Sequence, residues 1–358
     1  SEFPQQGGIR GITFDGFARR VACLRQFELA AIYEAMPVRR HWFILSTALT
    51  RPRFSHNSEW IVPIGHPHFT PSAQQERAVN QTQVYRLSTR QPAGMPIVPG
   101  EPILDGQFSP DDKTLALACA VEGRSYATMY ESDGKGGSLQ FWDWRQGKRI
   151  GEKALMPSEP RSLAWHPNRP IVAVVCAAGQ VLSVDIESRK VTLLYDSKIK
   201  NDAGRLYDDD YSQGGVKFDP TGDTVFAFGM QGRTVAIELA TGKPRFDVSA
   251  KIWTSDVAVW RDLALLSRTE RPPEFRRLAT GEIVNPNFPS PSDGYLGRLG
   301  GDHFLLFGHG PTVAIWDLAK SEKVCADLNL GGTGRCVADF VPGTPYICLL
   351  YTSDAADE

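Results

Sequence analysis

His66-Pro67-His68 sets two imidazoles two residues apart, a spacing that puts both on one side of an extended strand. With His41 and His56 close by in sequence, this is a conceivable metal site. No carboxylate or thiol stands at ligand spacing, however, and Pro67 and Pro71 read as loop residues. Asp133-Gly134-Lys135-Gly136-Gly137 has the opening of a calcium loop, but its twelfth position is Trp144, where a bidentate Glu is required. It reads as a hairpin tip. Asp208-Asp209-Asp210-Tyr211 suits a cation or a basic partner, or is solvated surface. Gly331-Gly332-Thr333-Gly334 lacks the Lys-Ser/Thr and the helix that a phosphate loop needs, and Gly294–Gly301 fails the dinucleotide spacing. The sequence holds no Gly-x-Ser-x-Gly elbow. No catalytic residue, metal site or cofactor is assigned.

The 358 residues carry 39 Lys+Arg against 41 Asp+Glu, so no basic excess marks nucleic acid or an anionic membrane as the main partner. The longest apolar run, Ile171–Ala178, is 8 residues, where a spanning helix needs about 20. The 6 cysteines form no Cys-x-x-Cys pair and several sit in apolar runs. They read as buried thiols in a reducing compartment, which makes the cytoplasm the expected location. The chain opens on Ser1, so an upstream segment is expected. Residues 348–358 (Cys-Leu-Leu-Tyr-Thr-Ser-Asp-Ala-Ala-Asp-Glu) resemble a translated sequencing adapter and are expected to be a non-native tail.

The elements that must position any site come in repeats. Gly137 precedes Trp142-Asp143, Gly179 precedes Val184-Asp185, Gly232 precedes Ile237-Glu238, and Gly310 precedes Trp316-Asp317. Gln83–Leu87 and Glu274–Gly281 are worn copies. Each copy is a turn, an alternating strand, then a bulky apolar residue and an acid. A second motif comes earlier in each unit: Phe54-Ser55-His56-Asn57, Phe108-Ser109-Pro110-Asp111-Asp112, Trp165-His166-Pro167-Asn168 and Phe218-Asp219-Pro220-Thr221-Gly222. In these an aromatic closes a strand, a turn follows, and a new apolar run begins. Phe340-Val341-Pro342-Gly343 opens another. The aromatics lie 54, 57 and 53 residues apart, with inserts at Glu122–Gly137 and Ser197–Gly215. Repeats of roughly 40–45 residues, four short strands each, remain once the inserts are set aside.

Phe-Ser-Pro-Asp-Asp-Lys-Thr-Leu-Ala at 108–116, followed by Leu-Gln-Phe-Trp-Asp-Trp at 139–144, resembles the WD-repeat β-propeller family, in a form common in bacterial repeat proteins. The resemblance implies an all-β fold of about seven four-stranded blades, the last one truncated. Blades are expected near 51–97, 103–155, 160–200, 213–249, 254–289 and 293–328, with a partial one from Gly334, so residues 51–347 form the propeller. Residues 1–50 read as a degenerate first blade or, with Phe17, Val21, Leu24 and Ala31 at helical spacing, as a helical segment over Phe17–Met36. The family's Gly-His pair is displaced to Gly65-His66 and Gly308-His309, so its buried His–Asp network is not expected here.

The resemblance also implies function: a non-catalytic scaffold whose loops hold a protein or peptide partner. Arg161, Tyr211 and Trp253 are the expected contact residues, being charged or aromatic and next to charges in connections between blades. Two other readings stay open. One is the C-terminal sensor propeller of a larger enzyme, such as a bacterial serine/threonine kinase. The other is a quinoprotein- or lactonase-like propeller enzyme, though the scattered His and acidic residues show no ring of ligands.

Overall fold

The computed structural model describes residues 9–14, 20–25, 28–35, 38–41, 50–65, 81–121, 136–198, 215–230, 233–249, 254–268, 274–284, 296–300, 304–309, 312–320, 322–329, 336–340 and 347–351. Among them there is no helix, and the strands sort into eight antiparallel sheets, each following the chain order. The first is Ile9–Phe14, Arg20–Arg25, Glu28–Ala35 and Val38–His41. The second is Thr50–Phe54, Trp60–Gly65 and Tyr85–Arg86. The third is Ile103–Phe108, Thr114–Cys119 and Gly137–Asp143, whose outer edge pairs with both Lys148–Arg149 and Ala154–Met156. The fourth is Pro160–Trp165, Ile171–Cys176, Gln180–Asp185 and Val191–Asp196. The fifth is Gly215–Phe218, Thr224–Met230, Arg233–Glu238 and Pro244–Ser249. The sixth is Thr254–Trp260, Leu263–Arg268, Glu274–Arg277 and Ile283–Val284. The seventh is Leu296–Gly300, Phe304–His309 and Thr312–Asp317, flanked by Glu322–Lys323 and Leu328–Asn329. The eighth is the pair Cys336–Phe340 and Ile347–Tyr351.

One expectation is corrected here. The helix considered over Phe17–Met36 is absent, because Arg20–Arg25 and Glu28–Ala35 pair as strands. A period of two also fits those residues, and pairing satisfies their backbone groups between strands. The described strands make eight sheets, which correspond to the six expected blades over 51–328, the partial one from Gly334 and the segment 1–50. Ile347–Tyr351 runs across the boundary drawn at 347/348, and residues 352–358 lie outside the described ones.

Two kinds of turn repeat, each held by its own side chain. Between first and second strands, Ser55, Ser109 and Asp219 accept the backbone N–H of the residue five places on, Trp60, Thr114 and Thr224, at 2.9, 3.0 and 2.9 Å. Three residues after each cap the chain turns left-handed, at Ser58, Asp112 and Gly222. Between third and fourth strands, Asp143 and Asp317 accept the two N–H groups that follow, those of Arg145 and Gln146 and of Ala319 and Lys320. Asp185 accepts from Ser188, whose amide holds the carboxyl below the usual carboxylate range. Arg90, Gly147, Arg189, Gly242 and Gly281 then take positive φ at one equivalent place. The acid of the repeated apolar-acid motif is therefore a turn cap.

Neighbouring sheets stack face to face, which is why the second strands are apolar at nearly every position. Leu115, Leu117 and Cys119 pack against the second sheet, while the alternate residues Ala116 and Ala118 pack against the fourth. Val172, Val174 and Cys176 face the third sheet; Ala173 and Val175 face the fifth. The pattern repeats between the fifth and sixth sheets and between the sixth and seventh. Each first strand lies against a first or second strand of the adjacent sheet, so the first strands form the inner layer. Cys336–Phe340 touches Leu296–Gly300 and also Ile9–Phe14.

Candidate functional site

Antiparallel order gives the assembly two faces. One holds the turns just described. On the other, the entry face, every first strand begins and every second strand ends. The inserts leave from it as well, after Val121 and after Lys198.

Arg161 lies near this face, as the second residue of Pro160–Trp165 rather than in a connection between sheets. Its guanidinium Nη2 is 2.8 Å from Oε1 of Glu159, whose side chain is fully buried. The arginine is thus engaged in holding a buried carboxylate. Tyr211 and Trp253 lie outside the described residues; Trp253 directly precedes Thr254–Trp260. His66-Pro67-His68 and Asp208–Asp210 are outside them too.

Sequence reasoning missed Glu101, which sits just before the first strand of the third sheet and is buried. It accepts from Ser138 Oγ and, at 2.9 Å, from Gln140 Nε2, and pairs with Lys153 Nζ at 2.5 Å. A Glu-Pro step recurs as Glu101-Pro102 and Glu159-Pro160, and that recurrence was the available signal. The two thiols near these carboxylates end their second strands. Burial pushes Cys176 up to about 12 and Cys119 well above the ordinary thiol value, so neither is a nucleophile at neutral pH. Among the described residues, no group of three or more His, Cys, Asp or Glu side chains is arranged to hold a metal ion.

The inner layer is joined by carboxylates that reach across sheets. Asp105 pairs with Arg53 of the second sheet at 2.7 Å and accepts the Leu163 N–H of the fourth at 3.1 Å. Asp256 of the sixth sheet takes the ammonium of Lys217 from the fifth. Both aspartates are the first residue after a bulge and both cap the next N–H, of Gly106 and Val257. On the turn face, the Asp112 carboxylate accepts the amides of His56 and Asn57 at 2.7 and 2.8 Å and lies 3.1 Å from His56 Nδ1. These joints fix the distance between sheets and hence the frame from which the entry-face connections hang.

Sheets stacked through their faces around an inner layer of first strands define a β-propeller. Solved structures agree. The chain is similar to the Cps50 (Swd1) β-propeller domain of Myceliophteria thermophila, with 14% identity, a TM-score of 0.53, and coverage of 86% of this chain and 94% of that one. It is also similar to the computationally designed Ika8 protein, with 13% identity, a TM-score of 0.63, and coverage of 92% and 89%. At that identity the likeness shows the fold alone. No family model matches the sequence, and no curated protein does.

Proposed function

We propose that this chain is a non-catalytic interaction module, an eight-bladed propeller of WD-repeat type whose entry face holds a protein or peptide. The observation that carries the reading is the rigid frame. Buried faces tie the second to seventh sheets in succession, ion pairs join the second to the third and the fifth to the sixth, and the chain enters both inserts from one face. A stacked scaffold of this kind presents loops at set positions and requires no turnover. Support for eight blades comes from Cys336–Phe340, which touches both the seventh sheet and the first. The unpaired thiols Cys119, Cys176 and Cys325 support a reducing, cytoplasmic setting.

Capture from a lysate of the source organism tests the face. Immobilised wild-type protein is compared with Tyr211→Ala, Trp253→Ala and a turn-face control, Gln146→Ala. Loss of a retained protein by about tenfold in the first two, with the control unchanged, supports the entry face. Loss in the control alone moves the docking surface to the other side.

A further inference from the structure

The first-to-second-strand turns use Ser55, Ser109 and Asp219 as caps, but the fourth sheet puts His166 in that place. His166 is 1% exposed and lies between two sheets. Its Nδ1 accepts the backbone N–H groups of Asn168 and Arg169, each at 2.9 Å. The Arg169 Nε–H donates to Nε2 at 2.8 Å, so donors face both ring nitrogens, and Arg169 Nη2 lies 3.5 Å from the carbonyl of Gly222 on the fifth sheet's turn. Gly222 approaches so closely that a Cβ there would lie 2.3 Å from Nε2. The Phe218 ring is 5.0 Å away, centroid to centroid.

We infer that His166 is an acid-sensitive clasp between the fourth and fifth sheets. An imidazolium carries a proton on both nitrogens, so Nδ1 can no longer accept the two amides of the turn, nor Nε2 the Arg169 Nε–H. Protonation also sets a cation against the Arg169 guanidinium, whose Nε is 2.8 Å from Nε2. Burial and Arg169 favour the neutral ring. Asp219 and Asp223, on the facing turn, pull the other way, and Asp223 is 3.9 Å from Arg169 Nη2. The balance leaves the ring below its ordinary value of 6.5. The unfolded chain then binds the proton more readily than the folded one. The clasp's contribution is complete above about pH 6.5 and is lost as the pH falls through the lowered value. Acidification thus loosens one defined joint of the ring.

Two measurements test this on the full chain. A ring titration by nuclear magnetic resonance should give His166 a midpoint below 6.5, with the Asn168 and Arg169 amides losing exchange protection across that midpoint. His166→Asn keeps an oxygen acceptor at the Nδ1 position and does not titrate. Between pH 7.5 and 5.0 the wild-type unfolding temperature should fall by about 2 °C more than that of the variant. A ring midpoint at or above 6.5, or the same pH dependence in both proteins, overturns the clasp. The ring titration decides the matter even if the variant fails to fold.

Discussion

At the scale of the residue, what reads as a contact group in the sequence is partly a structural one. Arg161 looks like a displayed charge because nothing in its neighbourhood shows periodicity. The structure places it over Glu159, whose side chain has no exposed surface. A Glu before a Pro gives no signal of burial by itself, so the partner was not legible. Arg161→Ala should therefore lower stability by about 2–3 kcal/mol, measured as a urea midpoint, because it withdraws a cation from a buried carboxylate. Arg161→Ala combined with Glu159→Gln should recover most of that loss. If the single variant unfolds like the wild type, the pair is surface decoration and Arg161 returns to the contact list. The caps were more legible: Asp143 and Asp317 stand where a turn needs an acceptor, and they fill that role.

At the scale of the element, the repeated motifs mark strand ends well, because turn chemistry is local. The apolar-acid copies end at Asp143, Asp185, Glu238 and Asp317 as strands. The first sheet was harder to see: Phe14-Asp15-Gly16 carries an aromatic followed by Asp-Gly, but the apolar spacing after it suits two periods. How a turn meets the neighbouring sheet was not readable at all. Gly281 has φ +71, and a Cβ built there falls 2.3 Å from Cβ of Phe246, on the fifth sheet. That neighbour is the root of a buried side chain and cannot swing aside. Gly281→Ala should cost about 2–4 kcal/mol, combining left-handed strain with the inter-sheet clash. Phe246→Leu keeps the Cβ and Cγ at that spot, so in urea unfolding it should return almost none of the loss. A loss under about 1 kcal/mol would show that the turn yields and that only the φ term counts.

For the whole molecule, the apolar interior is divided among successive interfaces rather than gathered at a centre. The third and fourth sheets share Phe141, Met156, Val174 and Leu182; the sixth and seventh share Leu265, Phe275 and Trp316. Each sheet supplies alternate residues to two different interfaces, which explains why the sequence shows runs such as Ile171–Cys176 and why those runs alone could not say which neighbour they meet. Stability in such a stack is close to a sum of neighbour terms. Leu265→Ala should cost about 2–4 kcal/mol and Val174→Ala about 1–3. Made together, they should add to within about 0.5 kcal/mol, because no shared partner links the two interfaces. Val174 and Leu182 stand opposite one another in the strand register, so Val174→Ala with Leu182→Ala should depart from additivity by about 0.5 kcal/mol or more. Urea unfolding of the single and double variants measures all four terms. Strong coupling between Val174 and Leu265 would mean that strain passes between interfaces with no shared partner. Additivity there would mean that each interface contributes on its own, as a stack of neighbour terms requires.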